Sequence, residues 1–170
     1  MLRFFPVFLF LPLLLLFTVG PTQAIGIYGD IPVQFKFTKG CTGDCTFTPS
    51  GFKAGVVLPS NIGIGVETYS IDVNSDTIKF DFLDLSYLLP IPIVNITIGI
   101  GGGKVDLDIN NEGRGGSGNA TQFWISAGFP IIPLFDLHVG FHKVDSSIHD
   151  DGITLEFNGN MISVGAMFNF

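Results

Sequence analysis

Beyond residue 25, apolar side chains recur with a period of two rather than 3.6, which predicts strands and not helices. Val33, Phe35 and Phe37 alternate with Gln34, Lys36 and Thr38. Phe52, Ala54, Val56 and Leu58 form one face of a second run, and Ile62, Ile64 and Val66 one face of a third. Further runs carry Ile78, Phe80 and Phe82, then Val94, Ile96, Ile98 and Ile100, then Phe123, Ile125, Ala127 and Phe129. Phe135, Leu137, Val139 and Phe141 make the seventh. Ile153, Leu155 and Phe157, continued by Ile162, Val164, Ala166, Phe168 and Phe170, make the eighth.

In three of the eight predicted strands the apolar phase changes midway. Phe82 gives way to Leu83 and Leu85, and Ile100 to Val105, Leu107 and Ile109 across Gly101-Gly102-Gly103. Phe157 gives way to Ile162 across Gly159. One inserted residue shifts the phase of a strand, so a β-bulge is expected at each place. The connectors also alternate. Links at Leu58-Pro59-Ser60-Asn61, Leu89-Pro90-Ile91-Pro92 and Pro130-Ile131-Ile132-Pro133 are short and proline-rich. Links at Lys39 to Gly51, Asn110 to Thr121 and Ser146 to Gly152 are longer and polar, while Asn74-Ser75-Asp76 is short. Short turns at one end and long loops at the other, with an even strand count, predict an antiparallel up-and-down barrel with both termini at the short-turn end.

Composition sharpens this picture. The chain is 46% hydrophobic and 14% charged, against about 25% charged in an average globular domain. Arg3, the apolar run Phe4 to Phe17 and the small residues of Thr22-Gln23-Ala24 form a cleavable secretory signal over 1–24. The barrel then occupies 25–170, and no run of about 20 apolar residues follows to form a spanning helix. An apolar chain without such a helix has a closed barrel as its membrane solution. The formal net charge of −7 excludes a nucleic-acid role, which needs a basic face.

One face of each strand is bulky and apolar. The other is expected to carry an interior polar network of Lys36, Lys53, Glu67, Lys79, Asp81, Lys104, Asp106 and Glu156, together with Asp84, Asp136, His138 and His142. A soluble secreted barrel with a ligand cavity would show the same alternation turned outside-in. The amount of Phe and Ile along whole strands, and the mixed charge signs with Gly on the opposite face, favour the membrane arrangement. So does the ending Met161-Ile162-Ser163-Val164-Gly165-Ala166-Met167-Phe168-Asn169-Phe170. It resembles the C-terminal signature of bacterial outer-membrane proteins, and the chain from residue 25 resembles the small barrels of the OmpA, OmpX and OmpW type. That resemblance implies a location in the bacterial outer membrane and contact with its lipid and lipopolysaccharide. It also implies recognition of Phe168 and Phe170 by the barrel-assembly machinery, and a monomer. The function expected is structural or surface-interacting, and the alternative is a narrow channel for small or apolar solutes.

Candidate chemistry is sparse. Cys41 and Cys45 are spaced for a small loop disulfide in a secreted chain. Gly113-Arg114-Gly115-Gly116-Ser117-Gly118 fits G-x-G-x-x-G, but a strand follows rather than the helix a phosphate site needs, so no cofactor is expected. Asp106, Asp108, Asn110 and Glu112 offer oxygen ligands toward one loop, and Asp72, Asn74 and Asp76 toward another. Neither completes a calcium loop, and a solvated acidic rim is the reading. His138 and His142 share a face but stand about 13 Å apart along the strand, too far for one metal. His142 with Ser146 and Glu156 would give a Ser–His–acid set. That set resembles the outer-membrane lipid A deacylases, whose pattern places Ser two residues after the His, where this chain has Val144.

Overall fold

The computed structural model describes residues 25–39, 41, 45–91, 93–109, 115–150 and 153–170. The expected signal segment, Asn110, Glu112 and the first residues of the glycine-rich motif lie outside the described residues. The described residues form ten strands: β1 (Gly26–Phe37), β2 (Thr46–Phe47), β3 (Ser50–Val57), β4 (Ile62–Val73), β5 (Asp76–Pro90), β6 (Asn95–Asp108), β7 (Ser117–Ile132), β8 (Phe135–Asp150), β9 (Ile153–Glu156) and β10 (Gly159–Asn169). They make eight walls, because the short β2 prolongs β3, and β9 prolongs β10. Both β9 and β10 pair with β8 in one register, from Asp150↔Ile153 to Phe135↔Phe168, with only Phe157 and Asn158 between them.

All pairings are antiparallel, and β1 pairs with β10 from Gly26↔Asn169 to Phe37↔Gly159. That pairing closes the sheet and removes both edges. The Phe170 amide donates to the Ile25 carbonyl at 3.0 Å, so the first and last described residues meet at the end that carries the short turns.

Up to a certain height, the outward side chains are apolar. Ile27, Ile31, Ile64, Val66, Leu83, Leu85, Ile100, Phe123, Val139 and Phe141 all project from the barrel, exposed. On β1 this belt runs from Ile25 to Val33, which at about 3.3 Å per residue and a 35–45° tilt rises about 20 Å. An exposed apolar belt of that height, encircling a closed barrel, is a lipid-facing surface.

Above the belt the two faces exchange character. Lys36, Lys79, Lys104 and Lys143 now point outward, while Phe35, Phe37, Tyr69, Ile71, Phe80, Val105, Val144 and Met161 fill the lumen as one apolar cluster. On β5, Ile78, Phe80 and Phe82 face in above the exchange, and Asp84, Ser86 and Leu88 face in below it. No residue is inserted. The β5–β6 register runs unbroken from Thr77↔Asp108 to Pro90↔Asn95, and the β10 register is equally continuous. The bulges expected at Phe82, at Gly101–Gly103 and at Gly159 are therefore absent from these ladders. What changes is the surroundings: once a strand leaves hydrocarbon, its outer face meets water, and its apolar side chains do better inside.

The reverse correction applies to β1. Its sequence alternates without a break, but its register to β10 shifts between Pro32 and Gln34. Val33 thus stays outside with Ile31, while Phe35 and Phe37 turn in. Replacing Phe80, fully buried in the upper layer, by Ala is expected to cost about 3–5 kcal/mol. Replacing lipid-facing Leu85 by Lys is expected to cost about 2–4 kcal/mol. Reversible denaturant unfolding in phospholipid vesicles checks both.

Candidate functional site

Among the described residues, the buried charged side chains lie in the lower lumen. Lys53 of β3 and Glu67 of β4 are Cα partners, and Asp84 of β5 lies close by. The Lys53 ammonium sits 3.1 Å from Asp84 Oδ2 and 3.6 Å from Glu67 Oε2. It also caps the Trp124 ring at 3.2 Å from the centroid. Gln122 Nε2 donates to Glu67 Oε2 and to Asp84 Oδ1, both at 2.8 Å. The Gln122 carbonyl faces His142 Nδ1 at 3.1 Å, and His142 Nε2 meets Ser163 Oγ at 3.1 Å. His142 stacks on Trp124 with centroids 5.9 Å apart. Nearer the turns, Asp136 accepts from Asn95 Nδ2 at 2.6 Å and from Asn169 Nδ2 at 3.3 Å.

Glycines on the inner face make room for these groups. A Cβ on Gly99 would collide with the Trp124 indole, and one on Gly101 with the Asp84 carboxylate. One on Gly140 would collide with Ser163 Oγ. An eight-stranded lumen is just wide enough to be filled by side chains. Trp124, Asp84 and Ser163 therefore lie over positions that carry no side chain.

The network is sealed at both ends. The aromatic layer closes it above, with Tyr69 and Phe80 stacked at 5.0 Å and Phe35 6.0 Å from each. Tyr28, Val57, Leu88 and Met167 close it below. The pocket bounded by Tyr28, Asp30, Trp124 and His138 measures about 10 Å³, the size of a single water.

The eight residues expected inside divide sharply. Lys53 and Glu67 are in the lumen. Lys36, Lys79, Asp81, Lys104, Asp106 and Glu156 are on the outer face above the belt, which corrects that expectation. Alternation assigned them to the polar face correctly, but above the belt the polar face is the outer one. There, Lys79 pairs with Asp81 at 3.1 Å, Lys143 with Asp145 at 3.8 Å and Lys39 with Glu156 at 2.9 Å. The hydrogen bond and charge of Glu156 hold the Lys39 ammonium above the usual lysine value. Exposed pairs of this kind contribute little to stability.

The suggested catalytic set is not assembled. Ser146 lies four residues beyond His142, about 13 Å along β8. It donates its hydroxyl to the Phe157 carbonyl at 2.7 Å and its amide to Asn158 Oδ1 at 2.9 Å. Glu156 stands outside with Lys39. His142 instead meets Ser163 and, at 3.6 Å, Glu67. Those partners lie on other strands, and only the register could have revealed them. The Ser–His–acid line they form is buried, with Ser163 3% exposed, so a substrate has no approach to the hydroxyl.

Of the suggested metal ligands, Asp106 faces out and Asp108 is half-buried. Among the described residues, no group of three or more His, Cys, Asp or Glu could hold a metal ion. Cys41 and Cys45 are joined by a disulfide with Cα atoms 6.2 Å apart, and the Cys45 carbonyl accepts from the Phe37 amide. Phe168 projects from the closing strand and meets Phe135 edge-on at 4.9 Å. Outside the lumen, a polar cleft of about 300 Å³ at the loop end is lined by Asn119, Thr121, Asp145, Ser146, Ser147, Glu156 and Asn158.

Lys53→Met should cost about 3–5 kcal/mol, because Glu67 and Asp84 would be left buried and unpaired. Gly99→Val should abolish the folded, heat-modifiable form on gels. Trp124→Ala in the same chain should restore part of it, since the two positions share one space.

No protein-family profile and no curated protein sequence matches the chain. Solved structures do. Neisserial surface protein A (NspA) is similar over 86% of this chain and 97% of its own, with a TM-score of 0.61 at 13% identity. Ail, the attachment invasion locus protein of Yersinia pestis, is similar over 87% and 99%, with a TM-score of 0.56 at 14% identity. The N-terminal β-barrel domain of Pseudomonas aeruginosa OprF is similar over 88% and 98%, with a TM-score of 0.53 at 14% identity. The chain thus has the fold of the small eight-stranded outer-membrane barrels.

Proposed function

We propose that this chain is a monomeric outer-membrane barrel of a Gram-negative bacterium, with a structural or surface-interaction role. The observation that carries this reading is the contrast between a sealed lumen and a developed outer surface. Inside, ion pairs, buried polar side chains and stacked rings fill the space. Outside, the lysines directly above the lipid belt sit where headgroup phosphates of lipid or lipopolysaccharide lie, and the polar cleft and loops stand above them. Residues 1–24 are proposed as the export signal, and the strand ending in Phe168 and Phe170 as the segment read by the assembly machinery. The lumen supports no catalytic assignment, since Ser163, His142 and Glu67 are enclosed.

The channel alternative needs a continuous polar path, and the Phe35, Tyr69 and Phe80 layer interrupts it. Purified barrel, recovered from the outer-membrane fraction, is expected to migrate differently unheated and boiled. In planar bilayers it is expected to give no steady conductance. Stable conductance steps, altered in Lys53→Met, would replace this reading with a channel. A water-soluble chain with no mobility shift would remove the membrane assignment altogether.

A further inference from the structure

The lipid belt does not stop where the strands end. At the turn between β5 and β6, Ile91 and Ile93 are exposed, Ile93 by 79%. At the end of β7 and in the turn that leads to β8, Ile131, Ile132 and Leu134 are all more than half exposed. The register Asn95↔Gly128 sets these two turns side by side beneath β6 and β7. They continue the belt from Phe129 downward without a polar break. The remaining turn, between β3 and β4, differs. It carries Ser60 and Asn61, and the Asn61 amide is satisfied by the Leu58 carbonyl at 2.9 Å.

All three turns lack backbone donors at proline, since Pro59, Pro90, Pro130 and Pro133 have no N–H, and what sets the β3–β4 turn apart is its polar Ser60 and Asn61. In water a free turn amide is solvated and its removal changes little, whereas in hydrocarbon every unsatisfied donor is costly. Deleting donors where aliphatic side chains are most exposed suits immersion. A protein-binding patch is expected to centre on Trp, Tyr or Arg anchors. These turns present isoleucine, leucine and proline instead, and their surface is continuous with one already facing lipid.

We propose, resting on the membrane reading above, that the β5–β6 and β7–β8 turns are buried in the hydrocarbon of the leaflet at the turn end. The β3–β4 turn stands in water. The occupant of the apolar rim is lipid acyl chain, and the barrel sits deeper on its β5–β8 flank than at the β3–β4 turn.

The test uses the full chain with single cysteines introduced as Ile93→Cys, Ile131→Cys, Ser60→Cys and Val139→Cys. Each is labelled with an environment-sensitive fluorophore after folding into phosphatidylcholine vesicles is confirmed by gel mobility. Vesicles carry either brominated acyl chains, or iodide on both sides of the membrane. Labels at 93 and 131 should be quenched by bromine as strongly as the belt label at 139, and resist iodide. The label at 60 should show the opposite. Iodide quenching at 93 and 131 equal to that at 60, with 139 still quenched by bromine, would overturn the inference and leave the spanning barrel intact. Iodide quenching at 139 as well would instead sink the membrane reading. Labels at 93 and 131 that meet iodide in pure vesicles but are shielded from both quenchers in cell envelopes would assign the rim to a protein partner, and overturn the proposal.

Discussion

Hydrocarbon offers the backbone no hydrogen-bond partner, and the rest of this architecture follows from that constraint. A sheet immersed in it must have no edge, so β1 and β10 must meet, and their pairing runs the full length of β1. Closure at eight strands then fixes the lumen at a width that side chains alone can fill. Inward glycine at positions 99, 101 and 140 is the geometric answer to that width. Each lends its missing side chain's volume to Trp124, Asp84 or Ser163. The glycine content that reads as flexibility in a soluble chain here reads as tight packing.

The main group of charges in the lumen is mutually compensated. Lys53 stands between two carboxylates and over an aromatic ring, and Gln122 spends both ends of its amide on the same group of residues. Replacing such a cluster by apolar side chains would be neutral or stabilising in many proteins. What its polarity does supply is a distinction between the two faces of each wall: within the belt the inner face cannot turn toward lipid without exposing buried charge. The network therefore serves the inside-out choice as much as the packing.

Much of the fold was legible in the chain itself. Eight alternating runs, the asymmetry of turns and loops and the closing strand at Phe170 need only local pattern. Alternation also separated polar from apolar residues correctly, but it carries no sign for inside and outside. Lys79 and Asp81 were therefore placed with Lys53 and Glu67, although a change of solvent separates them. The phase changes at Phe82 and Ile100 were the signal of that change, and a bulge is the ordinary but wrong explanation for them. In β1 the opposite held, since a real bulge at Val33 hid beneath uninterrupted alternation. Neither Ser163 nor Gln122 could be joined to His142 by spacing along one strand. Their meeting depends on register, which long-range closure determines.

The exchange of faces has a mechanical consequence. At the loop end, the lysines outside and the aromatic layer inside form a collar that meets the bilayer at one definite level. Raising the barrel would wet Leu83 and Ile100, and lowering it would draw Lys104 and Lys143 into oil. That end is stiff against vertical displacement. When the bilayer thins or thickens, the strain of mismatch must therefore be taken up at the opposite end, where aliphatic turns grade into the membrane without a sharp boundary. The barrel behaves as a piling fixed at its top, with a compliant foot.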